Sequence, residues 1–74
     1  MKAVILSLCT LTGVVDVYDN GIASVVVAPI VQKDEPKIIF LSGEYLPPDI
    51  SEGDPISLTV LAGPEMGNYC HIAP

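Results

Sequence analysis

Val14-Val15-Asp16-Val17-Tyr18-Asp19-Asn20-Gly21-Ile22-Ala23-Ser24-Val25-Val26-Val27 is the stretch on which the fold turns. Asn-Gly between two β-branched runs is the preferred two-residue hairpin turn, because both central residues must take positive φ and these two do so at low cost. The register of such a hairpin sets Asp19 opposite Ile22, Val17 opposite Ser24 and Val15 opposite Val26. Strict alternation then places Val15 and Val17 on one face of the ribbon, with Asp16 and Tyr18 on the other.

Downstream, Pro29 and Pro36 bracket the polar insert Gln32-Lys33-Asp34-Glu35, which reads as an exposed hairpin loop. Lys37-Ile38-Ile39-Phe40-Leu41-Ser42 comes next as a strand, and its near-continuous apolarity predicts burial on both faces. Gly43 ends it, and Tyr45-Leu46-Pro47-Pro48-Asp49-Ile50 reads as a proline-stiffened connection with a short 3₁₀ turn. Glu52-Gly53-Asp54-Pro55 is a turn. Ile56-Ser57-Leu58-Thr59-Val60 then alternates cleanly, with Ile56, Leu58 and Val60 inward. Residues 65–74 lack periodicity and read as a tail, or as a last short strand from Tyr69 to Ile72. No three-turn helix, internal repeat or low-complexity tract is written anywhere.

Upstream, Lys2 and the apolar run Ala3 to Leu11 imitate a signal peptide, but no small-x-small cleavage triplet comes after them. The run is also too short for a membrane span, which needs about 20 apolar residues. It reads as a buried strand, and the protein as soluble and cytoplasmic. Cys9 and Cys70 lie near opposite ends. A bridge between them would close a loop of about 60 residues and add about 4 kcal/mol of stability, but their pairing is not legible from sequence. Two cysteines in 74 residues fit a reduced cytosolic chain, and free thiols are the expectation.

Composition narrows the class. The chain has 74 residues, so it builds one domain, expected over residues 1–64 with 65–74 appended. Half of it is hydrophobic, yet only Tyr18, Phe40, Tyr45 and Tyr69 are aromatic, so the core is aliphatic and its β-branched bias favours strand. That hydrophobic fraction excludes disorder. Nine acids against three lysines give a net charge of -6 and exclude a phosphate-neutralising basic stripe, hence direct nucleic-acid binding. Short strands with turn signals every 8 to 12 residues predict an all-β, five- or six-stranded, partly closed antiparallel barrel of the SH3-like or OB-like kind.

The segment Gly13 to Val60 resembles a family of short bacterial small-β-barrel proteins of unknown function. The likeness rests on Val15-Asp16-x-Tyr18 before a turn, the valine-rich second strand, and Leu46-Pro47 with Ile50-Ser51-Glu52-Gly53-Asp54 before the last alternating strand. A second likeness is to the small hydrogenase-maturation chaperones, which share such a barrel. Those begin Met-Cys where this chain begins Met1-Lys2-Ala3, so the residue carrying that family's chemistry is missing. Both likenesses imply a fold and neither implies an activity.

No catalytic constellation is found. His71 directly follows Cys70, and neighbours along a strand point to opposite faces, so they form no nucleophilic pair; a metal site wants about four ligands, or three plus water, and Cys70, His71 and distant Cys9 supply three only if the ends of the chain meet. Asp16 to Val27 echoes a calcium loop but puts Tyr18 third and Val27 twelfth, where acids belong. Neither a cofactor nor a metal is expected, and no membrane partner. What remains is surface: acids Asp16, Asp19, Asp34 and Glu35 for a basic partner, and Tyr18, Tyr45 and Tyr69 as interface anchors. The chain is therefore expected to be a non-enzymatic protein-binding or assembly module, able to form a homo-oligomer. Two alternatives stand beside it. One is an acidic inhibitor, of the kind phages encode, that blocks a basic nucleic-acid-binding surface of a host protein. The other is an oligomeric binder of a small ligand.

Overall fold

The computed structural model describes residues 6–72. Five strands form in chain order: β1 (Ser7–Asp19), β2 (Ile22–Val27), β3 (Lys37–Ser42), β4 (Pro55–Ala62) and the two-residue β5 (His71–Ile72). Single 3₁₀ turns occupy Gly43–Tyr45 and Pro64–Met66. Four strands lie in the row β3-β2-β1-β4, every neighbour antiparallel, and β5 adds to β1.

The expected barrel is not formed. Among the described residues β3 and β4 end the row without pairing, so the sheet is open and four strands carry it instead of five or six. The cause is the 13-residue β1, which supplies pairing edges for three other strands. One edge takes β4 from Ser7 to Val14, and the other takes β2 from Gly13 to Asp19 and β5 at Cys9 and Thr10. The chain from β3 to β4 adds no strand to close the ring. It packs Leu46 and Ile50 against the inner face instead.

The Asn20-Gly21 turn is as expected, with φ of 53° and 76°. Nothing lies within 4 Å of a Cβ added at Gly21, so a substitution there meets only the intrinsic cost of left-handed backbone. Gly21→Ala is therefore expected to lower stability by about 1 kcal/mol in urea unfolding, with the slope unchanged.

Beyond the turn the ribbon departs from strict alternation. Val15 opposes Val25, not Val26, while Val17 still opposes Ser24, so Asp16 is the extra residue of a β-bulge. The Val17 N–H donates to Ser24 Oγ at 3.1 Å. The bulge reverses the inward–outward phase of the rest of β1. Val17 turns outward and is about half exposed, whereas Tyr18 turns inward against the core.

The inner face is one aliphatic layer made of Cys9, Leu11 and Val15 from β1, Ala23, Val25 and Val27 from β2, and Ile56 and Ala62 from β4. Leu46, Met66 and Cys70 cover it from the connecting segments. No polar or charged side chain is buried among the described residues. β4 keeps its expected alternation, with Leu58 and Val60 packed against this layer. The expectation of a two-sided burial for β3 is overturned. Ile39 and Leu41 pack inward, but Ile38 is 55% exposed and Phe40 74%, because no segment among the described residues covers the sheet's other face at that edge.

In the C-terminal segment the two-residue β5, His71–Ile72, pairs with β1, and Met66 is buried. Cys9 and Cys70 form a disulfide, their Cα atoms 5.0 Å apart. Free thiols were the expectation, and the contact that overturns it is non-local: Cys70 meets Cys9 only because β5 docks beside β1. The expected N-terminal strand is found from Ser7, and its residues 3–5 lie outside the described ones, as do residues 73 and 74.

Candidate functional site

The uncovered face is built by register. Across three strands, Ile38 lies opposite Val26, which lies opposite Val14, and Phe40 lies opposite Ser24, which lies opposite Val17. Ile22 continues the surface toward the turn, opposite Ser42. Five of these side chains, Val14, Val17, Ile22, Ile38 and Phe40, are each more than two-fifths exposed. The β4 half of the same face is polar at its centre, where Thr12 opposes Ser57 and Thr10 opposes Thr59. A separate apolar pair, Leu8 and Leu61, stands beyond it.

This face results from alternation once the inner layer is known. Val25 and Ala23 are fully buried, so their partners Ile39 and Leu41 face the core and the intervening Ile38 and Phe40 must face away. Sequence reasoning missed these two residues because apolarity alone does not distinguish a covered face from an open one. Ser24 in the middle of the valine strand was the available signal, since it shares the side of Phe40.

The acids are unevenly placed. Asp16 and Asp19 on β1 and Glu44, Asp49, Glu52 and Asp54 on the 43–54 connection gather toward the hairpin end of the sheet, whereas the opposite end carries Asp34 and Glu35 beside Lys33 and Lys37, with Glu65 after β4. Two of these carboxylates are structural. Glu52 Oε2 accepts the Tyr18 N–H at 2.8 Å, and Asp54 Oδ2 accepts the Ser51 N–H at 2.9 Å. The Gly53 N–H also donates to the Val15 carbonyl at 2.7 Å, so the connection is stitched to β1 beside the bulge.

The residues expected to meet a partner therefore divide. Asp16 and Asp19 stand exposed at the hairpin end, close to Val17 on the open face. Tyr18 packs inward, and a Cβ on Gly43 would collide with its hydroxyl, so that glycine makes room for the ring. Tyr69 also packs inward, and its hydroxyl donates to the Glu35 carbonyl at 2.8 Å, tying the 28–36 loop to the C-terminal segment. Asp34 N–H closes the loop's own turn on the Val31 carbonyl at 3.0 Å. Glu35 lies exposed in that loop, far from the hairpin end. Tyr45, 70% exposed, is the one tyrosine of the three open to a partner.

A pocket of about 310 Å³, mostly apolar, opens where β1 begins and β4 ends, lined by the Cys9–Cys70 bridge with Ala62, Pro64 and Gly67. No three of His, Cys, Asp and Glu gather to hold a metal ion among the described residues. Cys70 is buried and His71 exposed, as their adjacency requires.

No family model, curated protein or solved structure matches the chain. The likeness of residues 13–60 to short bacterial barrels therefore rests on the quoted residues alone. No helix among the described residues is long and apolar enough to cross a membrane.

Proposed function

We propose that the chain is a non-enzymatic protein-binding or assembly module that works through the open face of its sheet. The observation that supports this most directly is Phe40. A phenylalanine three-quarters exposed, with Ile38 on its own strand, Ile22 on the neighbouring β2 and Val14 and Val17 beyond on β1, centres an exposed apolar surface of the kind that marks interaction sites. Asp16 and Asp19 rim it with negative charge, so a partner that is apolar at its centre and basic at its margin fits best. Tyr45 is a further contact on the acidic side.

The test compares proteins retained by the wild-type chain with those retained by Phe40→Lys. The residue is exposed, so folding is expected to be unchanged by circular dichroism, and partners of the open face are expected to be lost. Identical retention by both chains would overturn the assignment. The uneven acids favour a second reading, an acidic inhibitor that covers a basic nucleic-acid-binding surface. Salt separates the two: retention through the apolar patch survives at 0.5 M, whereas retention through exposed carboxylates does not, the screening length there being only about 4 Å.

The disulfide bears on location. A bridge that ties the last strand to the central one persists in an oxidising milieu and is reduced in the cytosol. It supports a working place in an oxidising compartment, against the cytoplasmic expectation.

A further inference from the structure

We infer that β3 is a self-association edge, along which a second copy of the chain adds its own β3 antiparallel to extend the sheet. This rests on the binding-module proposal and names one partner for it.

The first observation is a row of main-chain groups without a partner strand. In a two-residue hairpin the pair flanking the turn, Asp19 and Ile22, exchanges its hydrogen bonds, and the direction then alternates along each strand. Ala23, Val25 and Val27 therefore direct their main chain toward β3. They meet Leu41, Ile39 and Lys37, and the Gly43 N–H continues the same parity onto the Gly21 carbonyl at 2.7 Å. By alternation, Ile38, Phe40 and Ser42 direct their N–H and C=O groups away from the sheet. No strand pairs with that edge among the described residues. An extended backbone is the partner that matches such a row.

The second observation is that this edge is undefended. Edge strands are ordinarily blunted by proline, inserted charge or a bulge. The opposite edge, β4, begins at Pro55 and presents Ser57 and Thr59. β3 has none of these between Ile38 and Ser42, and the same residues that direct their main chain outward carry the exposed Ile38 and Phe40 side chains.

The third observation selects a second copy, in one orientation. A two-fold axis normal to the sheet keeps open face with open face only when paired residue numbers sum to an even value. Centred on Phe40, it sets Phe40 against Phe40 of the second copy, Ile39 against Leu41, and Ile38 against Ser42. Charge favours the same arrangement. A chain of net charge -6 repels its copy, but residues 36–43 hold no acid, and β3 runs from Lys37 to the Glu44 and Asp19 end; Lys33 in the preceding loop is offset by Asp34 and Glu35. Antiparallel pairing brings Lys37 of each copy to the Glu44 end of the other. Parallel pairing would set like against like.

Sedimentation equilibrium of the purified chain tests this without any other protein present. The expected result is a species of twice 7.8 kDa at about 100 μM, weakened about thirtyfold by Phe40→Lys, a centre-of-interface change. Lys37→Glu and Glu44→Lys are each expected to weaken it about threefold, and the double variant to restore it. A monomer at that concentration overturns the edge assignment and leaves the retention experiment on Phe40 standing. A dimer indifferent to Phe40→Lys, or unrestored by the charge exchange, also overturns it.

Discussion

Reducing the Cys9–Cys70 bridge is expected to lower the melting temperature of the chain by about 20 °C. The two residues are 61 positions apart, so the bridge closes nearly the whole fold and removes about 4 kcal/mol of loop entropy from the unfolded chain. A domain of this length is stable by only about 4 to 11 kcal/mol in total. The bridge is therefore a large fraction of the whole. The local consequence is as informative, because β5 holds β1 by two residue pairs and the Ile30 N–H is held by the Asn68 carbonyl at 2.8 Å. Hydrogen exchange at Thr10 and Ile30 should accelerate on reduction before the β1–β2 hairpin is affected. Thermal unfolding monitored by circular dichroism, with and without reductant and for Cys9→Ala/Cys70→Ala, measures the effect. An unchanged melting temperature after complete reduction would show that strand pairing alone holds the ends.

The second large effect is expected at Gly13. It sits at the crossroads of the sheet, opposite Val27 on one side and Ile56 on the other, where β1 passes from one set of partners to the next. A Cβ there would overlap the Val26 carbonyl oxygen and lie 3.1 Å from Val27 Cα, and both are backbone atoms that no rotamer change can move. Gly13→Ala must therefore displace β2 from β1, at a cost of about 3 kcal/mol. Gly63 makes a useful control, since the atoms met by a Cβ there belong to the flexible end of Glu65. Urea midpoints of Gly13→Ala and Gly63→Ala should differ severalfold in their displacement from wild type. Equal displacements would mean that β1 tolerates the added atom by bending.

How much of the fold was legible depended on whether a residue's role was local. Asn20 and Gly21 announced their turn because positive φ is a property of the residue itself. β4 announced its inward face because one side of it is buried and the other is not. The bulge at Asp16 left no mark, since any residue fits an unpaired position, and it reversed the assignments of Val17 and Tyr18. Asp16 and Asp19 are exposed, whereas Tyr18 and Tyr69, read as interface anchors, are partly buried against the core, and each of the two residues is hydrogen-bonded to a distant segment. The open side of β3 was concealed for a different reason. Its sequence is that of a core strand, and exposure is decided by what the rest of the chain fails to cover. The bridge was concealed likewise, since it depends on where β5 docks.

The same bridge turns the stretch from Cys9 to Cys70 into a covalent ring. A single cut anywhere between Cys9 and Cys70, such as in the exposed loop at Lys33, leaves one molecule whose two pieces stay covalently joined through the sulfurs. A pull on the two ends is carried across the sulfurs, and the strands inside the ring bear none of the load.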